Sequence, residues 1–141
     1  MEELLEIRQL LELGRVEDAL LLAIELEEMG KKGINRTIRS YAKVLLLHLI
    51  KQQVEQRSTK SWDVSIRNSV AEINDVNSRP KGKGEYLDDE ELEYCLESAL
   101  MSALEQASLE ALEGVLSVRE LEQKIEKDKL IERAFLLIKN E

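Results

Sequence analysis

Val44-Leu45-Leu46-Leu47-His48-Leu49-Ile50 is a stretch in which every side chain but the histidine is aliphatic. It lies inside a longer helical period, from about Asn35 to Gln56, that sets Ile38, Tyr41, Ala42, Leu45, His48 and Leu49 on one face. A helix that is apolar almost all the way round is either central in a bundle or shared with a second subunit. The run is far shorter than the roughly 18 apolar residues needed to cross a bilayer. It is therefore core, and the fold class is all-α.

The flanking sequence repeats the helical period. Upstream, a first helix from about Glu2 to Leu13 carries Leu4, Ile7, Leu10 and Leu11 on one stripe, and Gly14 supplies a left-handed stop. A second, about Val16 to Met29, follows with Ala19, Leu20, Ala23 and Ile24, and Gly30 is read as its end. The turn Leu10 to Leu20 is similar to that of a tetratricopeptide unit. Without a recurrence at about 34 residues, it reads as an ordinary acidic hairpin.

Downstream, Arg57 to Lys60 makes a turn. A fourth helix from Ser61 places Trp62, Ile66, Val70 and Ile73 at spacings of three and four, and fades at Asn74 to Ser78. Arg79-Pro80-Lys81-Gly82-Lys83-Gly84 offers nothing to bury, so residues 79–87 read as a mobile loop. Asp88 with Glu91 opens a fifth helix with the stripe Leu92, Leu96, Ala99, Ala103, Ala107 and Ala111. Ser117 with Glu120 opens a last one through Leu121, Ile125, Ile131, Phe135 and Ile138. The expectation is one domain over residues 1–141, an antiparallel bundle of about four principal helices with shorter accessory ones.

Composition limits the chemistry. One Cys and one His among 141 residues leave no set of zinc ligands within a chain and no internal disulfide. A di-iron bundle needs Glu-x-x-His pairs, but Leu45 stands three before His48. No strand precedes Gly82-Lys83-Gly84, so it is no phosphate loop. No cofactor or metal is expected, and Cys95 reads as a small core residue. The acidic, amphipathic start lacks the pattern of a secretion signal, so the chain is expected to stay in the cytosol.

The net charge of −9 is unevenly spread. Residues 1–30 carry 2 basic and 9 acidic side chains, residues 31–84 carry 12 and 4, and residues 85–141 carry 6 and 16. A basic middle with Tyr41 and Trp62 would suit phosphates. The 25 acids in the flanks favour internal ion pairs and a solvated surface instead. A partner with an acidic surface is a further reading, and nucleic acid is the least supported one. His48 is the one side chain whose charge changes near neutral pH. Its plain reading is a partly buried histidine bonded to a carboxylate or carbonyl.

Three motifs in order carry a resemblance: Glu27-Glu28-Met29-Gly30-Lys31-Lys32, then Leu45 to Lys51, then Arg57-Ser58 with Ser61-Trp62 and Ile66-Arg67. Over about residues 5–110 the chain resembles the domain-of-unknown-function family twenty-nine, common in cyanobacteria, with its "EEMG", "LLxHLLKW" and "RSxSWxxxI". Gln52 departs from it, standing where the family usually has tryptophan. The resemblance implies a compact bundle and no established activity. It also suggests that His48, Lys51, Arg57, Ser61 and Trp62 meet around the turn between the third and fourth helices, as a binding rather than a catalytic site. The competing reading has Trp62 plugging the core and Arg57 capping the third helix's carbonyls. With no catalytic constellation, the expected function is a non-catalytic helical protein–protein interaction module. It would self-associate through the girth of the third helix or the alanine stripe of the fifth. The alternative is an enzyme or nucleic-acid-acting protein using the His48, Arg57, Trp62 corner.

Overall fold

The computed structural model describes residues 2–140. Among them are six α-helices: α1 (Glu2–Glu12), α2 (Val16–Glu55), α3 (Lys60–Asn77), α4 (Asp89–Glu110), α5 (Val118–Lys124) and α6 (Lys127–Lys139). The chain divides into two compact units, one up to Ile34 and the other from Asn35 onward.

The first unit is a helical hairpin. α1 ends as its sequence requires: Gly14 takes φ +74, and the Arg15 N–H donates to the Leu10 carbonyl at 2.8 Å, closing the orphan carbonyls of the last turn. No residue of α1 is buried. Ala19 is buried, whereas Leu4, Leu11, Val16, Leu20 and Ile24 are each about half exposed.

Gly30 does not end a helix. α2 runs unbroken for 40 residues, and neither Gly30 nor Gly33 has a positive φ. The two helices expected at 16–29 and 35–56 are therefore one. Glycine permits a left-handed stop but does not require it, and the residues after Gly30, Lys31 and Lys32, are themselves good helix formers.

The second unit is the bundle. Gln56, at φ +55, ends α2, and the Thr59 hydroxyl accepts from the Trp62 N–H at 3.1 Å to start α3. Across this unit the Cys95 thiol donates to the Asn35 carbonyl at 3.6 Å, and Lys51 bonds Glu110 at 2.9 Å. These pairings advance together along both helices, so the later part of α2 runs parallel to α4. α3 runs antiparallel to both. Asn74 of α3 donates to the Ile138 carbonyl at 2.9 Å, which sets the end of α6 beside the end of α3. Sequential neighbours thus alternate in direction, giving an all-α bundle with α2, α3, α4 and α6 as principal helices and α5 as an accessory.

Leu45, Leu46, Leu49 and Ile50 of α2 are fully buried, and Leu47 is nearly so. Ala99, Ala103, Ala107 and Ala111 are buried too. Both surfaces expected to mediate self-association are thus consumed by the monomer's own core.

Both capping boxes form. The Glu91 N–H reaches Asp88 Oδ1 at 2.8 Å, and the Glu120 N–H reaches Ser117 Oγ at 3.1 Å. The last apolar period is not one helix, because Ile125 and Glu126 are extended between α5 and α6. Residues 79–87 form a hydrogen-bonded return between α3 and α4. The Arg79 N–H donates to the Gly84 carbonyl at 2.8 Å, the Tyr86 N–H donates to the Asn77 carbonyl at 2.9 Å, and Leu87 is fully buried. Asn77 is the anchor. Its Oδ1 accepts the Leu87 N–H at 2.8 Å, and its Nδ2 donates to Glu85 at 3.1 Å and to the Leu87 carbonyl at 3.3 Å. No helix among the described residues is long and apolar enough to cross a membrane.

Candidate functional site

Trp62 sits in the first turn of α3, where the Thr59 cap fixes its backbone, and the residue is 8% exposed. Lys51 of α2 places Nζ 5.0 Å from the ring centroid, and the Arg57 guanidinium lies 4.8 Å from it. Both are within cation–π range. Lys51 is itself buried, and its ammonium is held by Glu110 of α4 at 2.9 Å.

Glu110 also accepts from Gln106. Burial raises its pKa, but the Gln106 and Lys51 hydrogen bonds outweigh that, and the carboxyl is held below its ordinary range. Glu55 follows the same pattern. Burial pushes its carboxyl up, while the Leu112 N–H at 3.2 Å and the Arg57 guanidinium at 2.9 Å bring it down on balance.

His48 lies one turn before Lys51. Burial lowers its pKa first and the Lys51 charge second, against an opposing pull from Glu110. The imidazole is therefore neutral at neutral pH. Its Nδ1 is sealed from solvent and has no hydrogen-bond partner. The expected bond to a carboxylate or carbonyl is thus not made at that nitrogen.

Three of the five sequence candidates, Lys51, Arg57 and Trp62, come together, and His48 stands one turn before Lys51, within reach of its charge. Ser61 does not join them; it is exposed on the first turn of α3. The neighbouring Ser58 is engaged instead, donating to Asp63 at 2.6 Å and accepting from Gln52 at 2.7 Å. Gln52 in turn accepts from Arg133 of α6 at 3.0 Å. The position that departs from the family pattern thus ties α2, α3 and α6 together.

Arg57 bonds the Glu55 carboxylate rather than the helix carbonyls. Trp62 is buried with the apolar residues of the second unit. Sequence reasoning missed Glu55 and Glu110. Glu55 stands four residues after Lys51, a spacing that was readable. Glu110 lies 59 positions away, and nothing local marks it.

Chemically, this corner is a set of satisfied charges around a tryptophan. Each cation near the ring has a carboxylate partner, and the one titratable base is desolvated. Among the described residues no group of three or more His, Cys, Asp or Glu could hold a metal ion. Cys95 is buried, and burial raises its thiol pKa despite Arg39, so it is a poor nucleophile.

The second unit also carries an open groove of about 610 Å³ between α3 and α6. Ile66, Val70, Leu136 and Leu137 supply its apolar lining, with Arg67, Lys129, Glu132 and Arg133 around them. Leu136 is 47% exposed. None of the sequence candidates lines this groove.

No curated protein and no solved structure matches the chain. Residues 3–134 match the family described as Domain of unknown function DUF29. That span takes in nearly all of the 141 residues, and the chain belongs to that family.

Proposed function

We propose that this chain is a non-catalytic helical interaction module that self-associates. One observation carries the reading: the hairpin up to Ile34 leaves most of its large apolar side chains in water. Leu4, Leu5, Leu11, Leu13, Val16, Leu20, Leu21, Ile24 and Met29 are exposed by between 46% and 72%. Single exposed leucines are ordinary, but a helical pair that buries little beyond Ala19 marks an interaction surface. The paired charges around Trp62 favour the same reading over catalysis or phosphate binding, since both cations already have carboxylate partners.

Sedimentation velocity from low to high micromolar concentration tests it. The expected result is reversible association that Leu20→Glu with Ile24→Glu abolishes while helicity is retained. A strict monomer across the whole range would overturn the reading.

A further inference from the structure

We infer that the groove between α3 and α6 is the seat of the association and that its occupant is the acidic hairpin of a second copy of this chain. The inference rests on the self-association reading above and assigns its receiving surface. The groove presents Ile66 and Val70 from one helix and Leu136 from the other, beside three cations and one carboxylate: Arg67, Lys129, which pairs with Glu126 at 2.8 Å, Arg133, which donates to Gln52 at 3.0 Å, and Glu132. All three cations are exposed.

A matching ligand is an amphipathic helix with an aliphatic stripe and flanking carboxylates. The chain itself contains one. Val16, Leu20 and Ile24 recur every four residues at the start of α2 and are 60%, 59% and 46% exposed. Glu27 and Glu28 follow three and four positions beyond Ile24, on the same side of the helix.

Lengths agree as well as charges. From Val16 to Ile24 the stripe covers about 12 Å at 1.5 Å per residue, within the roughly 20 Å of α6. The uneven charge of the sequence then has a use: an acidic first segment on one copy meets basic side chains on another. Complementary charge of this kind sets register and partner choice more than raw affinity.

Two full-length variants test the assignment. Leu136→Asp spoils the groove and leaves the hairpin, while Leu20→Glu with Ile24→Glu does the reverse. Each alone should sediment as a monomer, with self-affinity reduced by about a hundredfold. An equimolar mixture should associate again, because each mixed pair keeps one intact hairpin and one intact groove. Circular dichroism checks that both variants fold.

Should Leu136→Asp unfold the bundle, Arg67→Glu with Lys129→Glu serves in its place, both positions being exposed and Lys129 paired, among the described residues, only with the exposed Glu126 at the start of its own helix. Its lost association should return when it is combined with Glu27→Arg and Glu28→Arg in the same chain. Groove variants that associate as tightly as the parent chain would overturn the groove while leaving self-association standing. A mixture that stays monomeric would overturn it equally. A parent chain that is monomeric throughout would instead remove the reading on which the inference rests.

Discussion

Replacing Gly30 and Gly33 with alanine should stabilise the chain, and the sign of the effect is decided by a single structural feature. If α2 is continuous from Val16 to Glu55, both glycines lie in a helix interior, where glycine is less favourable than alanine by about 0.5–1 kcal/mol each. A Cβ built at either position meets nothing within 4 Å, so no steric term opposes the gain. The pair should contribute about 1–2 kcal/mol, and hydrogen exchange of amides in this stretch should slow by about 5- to 30-fold. If the linkage reaches global unfolding, the thermal midpoint should rise by roughly 3–8 °C.

Gly114 serves as the opposite control. It has φ +74, and a Cβ there would stand 2.8 Å from the Leu109 carbonyl oxygen, so Gly114→Ala should destabilise. The refuting result is a Gly30→Ala chain less stable than the parent. Gly30 would then be the left-handed residue closing a separate helix, where alanine costs about 1–2 kcal/mol.

Two further outcomes follow from particular contacts. Asn77→Ala should cost about 2–4 kcal/mol in chemical denaturation, because it strands the buried Leu87 N–H and carbonyl that Asn77 now satisfies; a loss under 1 kcal/mol would mean the return at 79–87 does not depend on it. His48→Gln should change how stability varies with pH. In the parent, the folded-state pKa of His48 lies below its ordinary value of 6.5, so the unfolded chain takes up the proton first and stability falls as pH drops below about 6.5. Glu55 and Glu110 have folded-state values below the ordinary 4.5, so their contribution is present above that pH and is lost at lower pH. The substitution should therefore flatten the limb just below pH 6.5 and spare the more acidic one, as urea unfolding at a series of pH values would register. An unchanged limb would show that His48 is not the group that titrates.

The candidate corner was legible in part. His48 and Lys51 fall one turn apart on a helix whose period is unmistakable, and Arg57 and Trp62 flank the turn that follows, so proximity along the chain implied proximity in space. Glu110 was not legible, because its carboxylate reaches Lys51 through the parallel packing of α2 and α4, and no local pattern encodes that register. The same limit explains Ser61 and Ser58. Both flank the Thr59 cap, but Asp63 and Gln52 select Ser58 through side-chain bonds that spacing alone does not rank.

The sequence by itself determined the helical class, the apolar centre at Val44 to Ile50, both capping boxes and the left-handed stop at Gly14. These depend on 3.6-residue periodicity and on hydrogen bonds closed within a few residues. Tertiary structure alone decided that Gly30 and Gly33 continue a helix and that Ile125 and Glu126 break one. It also decided that the third-helix girth and the alanine stripe are spent inside the monomer. In each case the local free-energy difference is small, about 1 kcal/mol for a glycine. Burial of side chains far apart in sequence is larger, so packing rather than propensity settles the outcome.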